Sequence, residues 1–225
     1  MPAPPALRTE RVSGVVFDLD GTLVDGYLGI TSGVNAARAF FGLPALAEDD
    51  IRGRVGLGLS HLMDDVVGPR RAAPAAAIFR TVYDRVCVEQ TRPAPGLDAT
   101  LAALRARGFR LSVASNKPAS YSIRILERLG VRPFFDTIEG PETAGALKPD
   151  PAMILACLLA MNVRADEALY VGDMTIDADA GARAGVAVVL VSGGSSSKDA
   201  LRDTGHEVVE TLLDLLDVLP PRAAL

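Results

Sequence analysis

Short apolar runs alternate with stretches of helical spacing along most of this chain. Val15-Val16-Phe17 runs into Asp18-Leu19-Asp20 and breaks at Gly21-Thr22, the pattern of a buried parallel strand (residues 12–18) reaching its carboxyl end. From residue 31 to residue 91 the spacing is helical. Val34, Ala37, Phe40 and Phe41 mark one amphipathic helix closed by Gly42, Leu59, Leu62, Met63 and Val66 mark a second, and Ile78, Val82, Val86 and Val88 a third. Pro93 and Pro95-Gly96 end this block. Beyond it the pattern predicts helices over 97–106, 119–129, 152–161, 176–184 and 210–219, strands over 109–114, 135–138, 168–172 and 186–191, and a flexible loop over 192–197. Strands alternating with helices predict an α/β fold, a doubly wound, Rossmann-like parallel sheet. The expected division is a core of residues 1–25 and 96–225, with 26–95 inserted as an all-helical second domain; residues 1–11 form a Pro/Ala-rich lead.

At 225 residues and 49% apolar, the chain is long and greasy enough for one such core plus an insert, which excludes a disordered protein. The net charge of -5 argues against a nucleic-acid partner. Cys87 and Cys157 lie in apolar helical patterns and read as buried free thiols of a reducing compartment. No apolar run reaches the length of a membrane span, and residues 1–12 lack the apolar centre of a signal peptide. The expectation is a cytoplasmic protein without a membrane partner, monomeric or homodimeric. Lysine is scarce, with Lys117, Lys148 and Lys198 against 20 arginines, and two of the three lysines adjoin candidate site residues.

Alternation along an extended chain sends Asp18 and Asp20 to one side, where two carboxylates would repel each other. An oxygen-seeking divalent cation such as Mg²⁺ resolves that conflict. Three later clusters also follow apolar runs or loops: Ser115-Asn116-Lys117, Lys148, and Asp173 with Asp177. A doubly wound sheet brings strand ends to one edge. Carboxylates, a hydroxyl and lysines gathered there suit phosphoryl transfer, which asks mainly for positioning and charge neutralisation. Gly56-Leu57-Gly58 lacks the preceding strand and third glycine of a dinucleotide loop and reads as a turn; His61 and His206 read as packing or capping residues. Neither a P-loop nor zinc-ligand spacing is present.

The arrangement resembles the haloacid dehalogenase superfamily of phosphatases over nearly the whole chain. The motifs run in the family's order: Asp18-Leu19-Asp20-Gly21-Thr22, Ser115-Asn116, Lys148-Pro149, then Gly172-Asp173 with Asp177. The helical insert is similar to the cap that one subgroup carries after its first motif. Val24-Asp25, the stretch 53–58, Ser115-Asn116-Lys117-Pro118 and Lys148-Pro149-Asp150-Pro151 resemble the phosphoglycolate phosphatase group. Met174 and Gly26 depart from it, each standing where serine is usual.

The resemblance implies Asp18 as nucleophile and Asp20 as general acid and then base. It implies Mg²⁺ on the Asp18 carboxylate, the Asp20 backbone carbonyl and Asp173, with Asp177 adjoining, and phosphoryl oxygens on Thr22, Ser115, Asn116 and Lys148. An acid at Asp20 speaks for phosphatase over dehalogenase chemistry. The absence of lysine between Asp25 and Pro95 excludes the phosphonate-cleaving branch, which forms a Schiff base there. Pyrophosphatase, nucleotide or sugar phosphatase and phosphomutase activities stay open, as does, from another class, a non-catalytic phosphate sensor. The expected partner is a small phosphorylated metabolite, phosphoglycolate first, with Arg52 or Arg54 gripping its carboxylate through a bidentate pair.

Overall fold

Residues 9–219 and 221 are described by the computed structural model of the chain. Most of the expected lead lies outside them, and Thr9–Arg11 forms a single 3₁₀ turn. The strands are β1 (Gly14–Phe17), β2 (Val24–Asp25), β3 (Arg92–Pro93), β4 (Arg110–Ala114), β5 (Thr137–Glu139), β6 (Ala168–Gly172), β7 (Ala187–Val191) and β8 (Glu207–Val209). Six of them form one sheet in the order β5-β4-β1-β6-β7-β8, and every neighbouring pair is parallel. The short β2 and β3 pair antiparallel at the root of the insert.

β1 sits at the centre, with Val15 opposite Leu111 on one side and Leu169 on the other. All four of its residues are buried, as a strand covered on both faces requires. Alternation divides them between two apolar layers. Val15 and Phe17 join Leu101, Leu104, Ile125 and Leu126 on the face carrying α5 (Leu97–Ala106) and α6 (Ala119–Arg128). Val16 joins Ile154, Cys157, Tyr170 and Ala180 on the face carrying α8 (Ala152–Met161) and α9 (Thr175–Ala184). Fully burying a side chain such as Val16 or Phe17 contributes about 1.5–3 kcal/mol.

Between β2 and β3 run α1 (Tyr27–Phe40), α2 (Glu48–Arg52), α3 (Leu59–Val67) and α4 (Pro69–Val86), with an apolar cluster of their own that includes Val34, Ile51, Met63, Phe79 and Tyr83. Gly33 lets α1 and α4 approach closely, since a Cβ there would lie 2.6 Å from the Phe79 ring. The buried stripe of α4 is Ala72, Ala75, Ala76, Phe79 and Tyr83, and not the expected Ile78, Val82 and Val86. Small alanines let the helix pack tightly, and the branched residues sit at the margin of the cluster, partly buried, with Ile78 packed against it. Phe40, expected on a buried face, is 70% exposed.

The expected helix over 210–219 is a 3₁₀ turn at Leu212–Asp214 followed by Leu215–Val218, preceded by the unforeseen β8. α7 (Pro141–Ala144) is a further short turn. Cys87 and Cys157 are both free and buried. Among the described residues no helix is long and apolar enough to cross a membrane.

Candidate active site

Asp18 follows β1 directly, and its N–H donates to the Val171 carbonyl at 2.8 Å, so the carboxyl end of the central strand fixes the residue. The chain then folds back: the Leu19 carbonyl accepts the N–H groups of Thr22, Leu23 and Val24 at 3.2, 2.9 and 3.0 Å. Gly21 makes that turn with φ +85°, and a Cβ there would lie 2.4 Å from Asp173 Oδ2. Conformation and space both demand glycine at this position.

The ends of β4 and β6 and the loop before α8 complete the group. Lys148 Nζ lies 2.8 Å from Asp18 Oδ1 and 2.8 Å from Asp177 Oδ1 and donates to the Tyr170 hydroxyl at 3.1 Å. The Lys148 N–H donates to Asn116 Oδ1 at 2.7 Å, while Asn116 Nδ2 donates to the Gly56 carbonyl at 2.7 Å. Asn116 thus splints the lysine loop to the insert. Asp177 Oδ2 accepts the N–H groups of Asp173 and Met174 at 3.0 and 2.9 Å, which ties the start of α9 to the end of β6. Asp173 accepts from the Thr22 hydroxyl at 3.1 Å and from the Ser195 N–H at 2.6 Å.

Asp18, Asp173 and Asp177 are buried, and each offers an oxygen within 4.8 Å of the other two. Burial first, then Asp177 and Asp18, push the Asp173 carboxyl well above the usual carboxylate range. Asp177 is also raised, by burial and Asp18 against the pull of Lys148. Burial works against the charge on Lys148, but Asp177 and Asp18 overcome it and hold the lysine above its ordinary pKa. Three carboxylates against one ammonium leave a surplus of negative charge on an all-oxygen donor set, which a hard divalent cation fits.

Asp20 points elsewhere. Its Oδ2 lies 2.8 Å from Lys117 Nζ, and its buried Oδ1 has no hydrogen-bond partner among the described residues. Gly26 leaves room for that oxygen, since a Cβ there would stand 2.4 Å from it. Burial raises the Asp20 carboxyl, with Lys117 opposing. Lys117 also donates to the hydroxyl of Tyr83 on α4, a phenol that burial pushes up to about 12. These groups face a cavity of about 300 Å³ between the sheet edge and the insert, lined by Asp18, Asp20, Ser115, Asn116, Lys117 and Lys148 below and by Gly56, Leu62, Phe79, Arg80 and Tyr83 above.

The sequence candidates Asp18, Asp20, Thr22, Ser115, Asn116, Lys148, Asp173 and Asp177 therefore come together. Within the group, Thr22 is buried and its hydroxyl is engaged by Asp173. Arg52 and Arg54 do not line the cavity. Arg52 stacks on Tyr27, 3.9 Å from the ring centroid, and pairs with Asp25 and Glu48 at 3.4 and 3.3 Å. Arg54 pairs with Asp65 and donates to the Asp50 carbonyl at 2.9 Å.

Sequence reasoning did not assign roles to Lys117, Tyr83, Met174 or Ser195. For Lys117 the scarcity of lysine was the signal. Met174 lies against Gly56, where a Cβ would come within 2.2 Å of its sulfur. The loop read as flexible is tied down by Ser195, whose N–H reaches Asp173 and whose hydroxyl lies 2.8 Å from that of Tyr27.

Residues 15–191 match the profile of the family described as haloacid dehalogenase-like hydrolase. A phosphoglycolate phosphatase of Cereibacter sphaeroides is 37% identical over 188 residues, covering 80% of this chain and 85% of the relative. One from Aquifex aeolicus is 35% identical over 176 residues, covering 78% and 83%. The crystal structure of a predicted phosphoglycolate phosphatase from Haemophilus somnus superposes with a TM-score of 0.87 at 25% identity, covering 93% of this chain and 99% of the other.

Proposed function

The chain belongs to the haloacid dehalogenase-like hydrolases, and on that premise we propose that it is a Mg²⁺-dependent phosphatase for a small phosphorylated acid of the phosphoglycolate type, working through an aspartyl-phosphate. Residues 26–95 serve as its helical cap over a core of 1–25 and 96–225. The observation that carries this reading is the division of labour between two buried carboxylates. Asp18 is held by Lys148 beside two further acids, whereas Asp20 is held by Lys117 on one oxygen and has the other free.

In the first half-reaction an Asp18 oxygen attacks phosphorus and the bond to the leaving oxygen breaks, while Asp20 gives that oxygen its proton. In the second, Asp20 takes a proton from water as the water oxygen attacks phosphorus, which frees Asp18 and inorganic phosphate. Lys148 and the Ser115 hydroxyl, both at the cavity wall, bind the phosphoryl oxygens. Asp18, Asp173, Asp177 and the Asp20 carbonyl would hold Mg²⁺. When bound, the ion neutralises phosphoryl charge. A purely sensing protein has no use for a second buried carboxylate with one oxygen free, and the names of the relatives favour phosphoglycolate over pyrophosphate, nucleotides and sugar phosphates.

The test is phosphate release with Mg²⁺ over a panel of 2-phosphoglycolate, pyrophosphate, sugar phosphates and nucleoside monophosphates, with wild type beside Asp18→Asn. Phosphoglycolate is expected to give the highest kcat/KM. Asp18→Asn is expected to fold normally and lose turnover, and substantial activity in that variant overturns the mechanism.

A further inference from the structure

We propose that Arg80 recognises the acid end of the substrate, gripping a carboxylate on the leaving-group side of the phosphate ester; this rests on the acid-substrate reading above. Three cations line the cavity: Lys148, Lys117 and Arg80. Lys148 is neutralised by Asp18 and Asp177, and Lys117 by Asp20. The Arg80 side chain, by contrast, makes no hydrogen bond, ion pair or ring contact with any described residue. No described group of the protein supplies its counter-charge, and it lines the same cavity as the phosphoryl machinery.

The placement is firm. Arg80 is on α4, one turn before Tyr83, so the two side chains share a helix face. Phe79 and Tyr83 anchor that turn, with stacked rings 5.2 Å apart between centroids, and both are buried. The guanidinium therefore projects from a rigid helix at the cavity mouth. Below it, Asp18, Ser115 and Lys148 mark the phosphoryl end. Between the two ends Ile30, Leu62 and Phe79 line the wall, and apolar groups would leave a carboxylate desolvated and unpaired. A planar fork of donors answers that need, and a neutral leaving group gains nothing from it. The other two candidate arginines in the insert, Arg52 and Arg54, already have carboxylate partners.

The experiment measures kcat/KM for matched esters with and without a carboxylate: 2-phosphoglycolate against ethyl phosphate, and 3-phosphoglycerate against glycerol 3-phosphate. Wild type, Arg80→Ala and Arg80→Lys are compared through the acid-to-neutral ratio. Arg80→Ala is expected to lower that ratio about ten- to a hundredfold, the factor for one lost charge-assisted hydrogen bond, mainly through KM. Arg80→Lys, which keeps the charge and loses the fork, is expected to fall between. A wild type that prefers the acids with a ratio unchanged in Arg80→Ala overturns the role of Arg80 and leaves the acid-substrate reading standing. A wild-type ratio near one for both pairs overturns the acid-substrate reading itself, and the role of Arg80 with it. Arg80 is exposed and its side chain is without partners among the described residues, so the variants are expected to fold as the wild type does.

Discussion

Lys117 Nζ stands 2.8 Å from Asp20 Oδ2 and donates to the hydroxyl of Tyr83. One buried ammonium thus joins the acid after β1 to helix α4 of the insert. Burial opposes its charge, and Asp20 and Tyr83 overcome that and hold its pKa above the ordinary lysine value.

Removing that cation leaves a buried carboxylate without its partner, which costs about 3–5 kcal/mol when a buried pair is broken. Lys117→Met is therefore expected to lower Tm and to cut kcat by about tenfold or more, since general acid–base catalysis is worth about 10²–10⁴. The loss should be larger on an alkyl phosphate than on p-nitrophenyl phosphate, whose leaving group needs little protonation. Steady-state kinetics on both esters check this. Equal losses would make Lys117 a purely structural residue.

Metal binding is open to calorimetry and thermal melts. The surplus negative charge of Asp18, Asp173 and Asp177 predicts that Mg²⁺ raises Tm, by about 2.7 kcal/mol of added stability at a hundredfold excess over Kd. Asp173→Asn should abolish the shift. In EDTA the same variant should match or exceed the wild type. The raised Asp173 pKa means that folding favours the protonated group. That contribution is complete below the unfolded value and is lost as pH rises through the folded one. A wild type insensitive to Mg²⁺ would rule out this site.

Gly194 abuts the same carboxylate, and a Cβ there would come within 2.0 Å of Asp173 Oδ2. Gly194→Ala is expected to displace Asp173 and raise the Mg²⁺ concentration for half-maximal activity, with a stability loss typical of overpacking, about 1–3 kcal/mol. Titration of activity against Mg²⁺ tests it.

Asp136 gives a pH signature far from the site. Burial acts to raise its pKa, but Arg110, at 2.9 Å, and Arg105, at 3.3 Å, together with the Leu111 N–H, hold it below the usual range. The stabilisation is present above the unfolded pKa of about 3.9 and is lost as pH falls through the lower folded value. Asp136→Asn should cost about 0.5–1 kcal/mol at neutral pH, a figure kept small by solvent screening, and the gap should close in strong acid. Urea denaturation across pH measures it.

The parts of this molecule that were legible in the sequence are those whose signal is local. The apolar run into Asp18, the strand ending at Gly172-Asp173 and the turn around Lys148 carry their chemistry and their structural context in adjoining residues. The buried stripe of α4 was misread because alanine at a packing position looks neutral beside Ile78 and Val82. The leucines of 212–219 keep a helical period although a 3₁₀ turn and one short helix satisfy it. Pairings set by the tertiary fold were illegible: nothing near Lys117 announces Asp20 or Tyr83, and nothing near Arg54 or Arg52 announces that Asp65, Asp25 and Glu48 already hold them.

β1 is hydrogen-bonded along both edges and buried throughout, whereas β5 and β8 each have a neighbour on one side only. Local opening begins at such edges, and the middle of a sheet separates last. Amide protons at residues 15–18 should therefore exchange with deuterium only through global unfolding, long after those of β8. Asp18, the carboxylate proposed to attack phosphorus, is rooted in the last segment expected to come apart, so loops around it can breathe without loosening its aim.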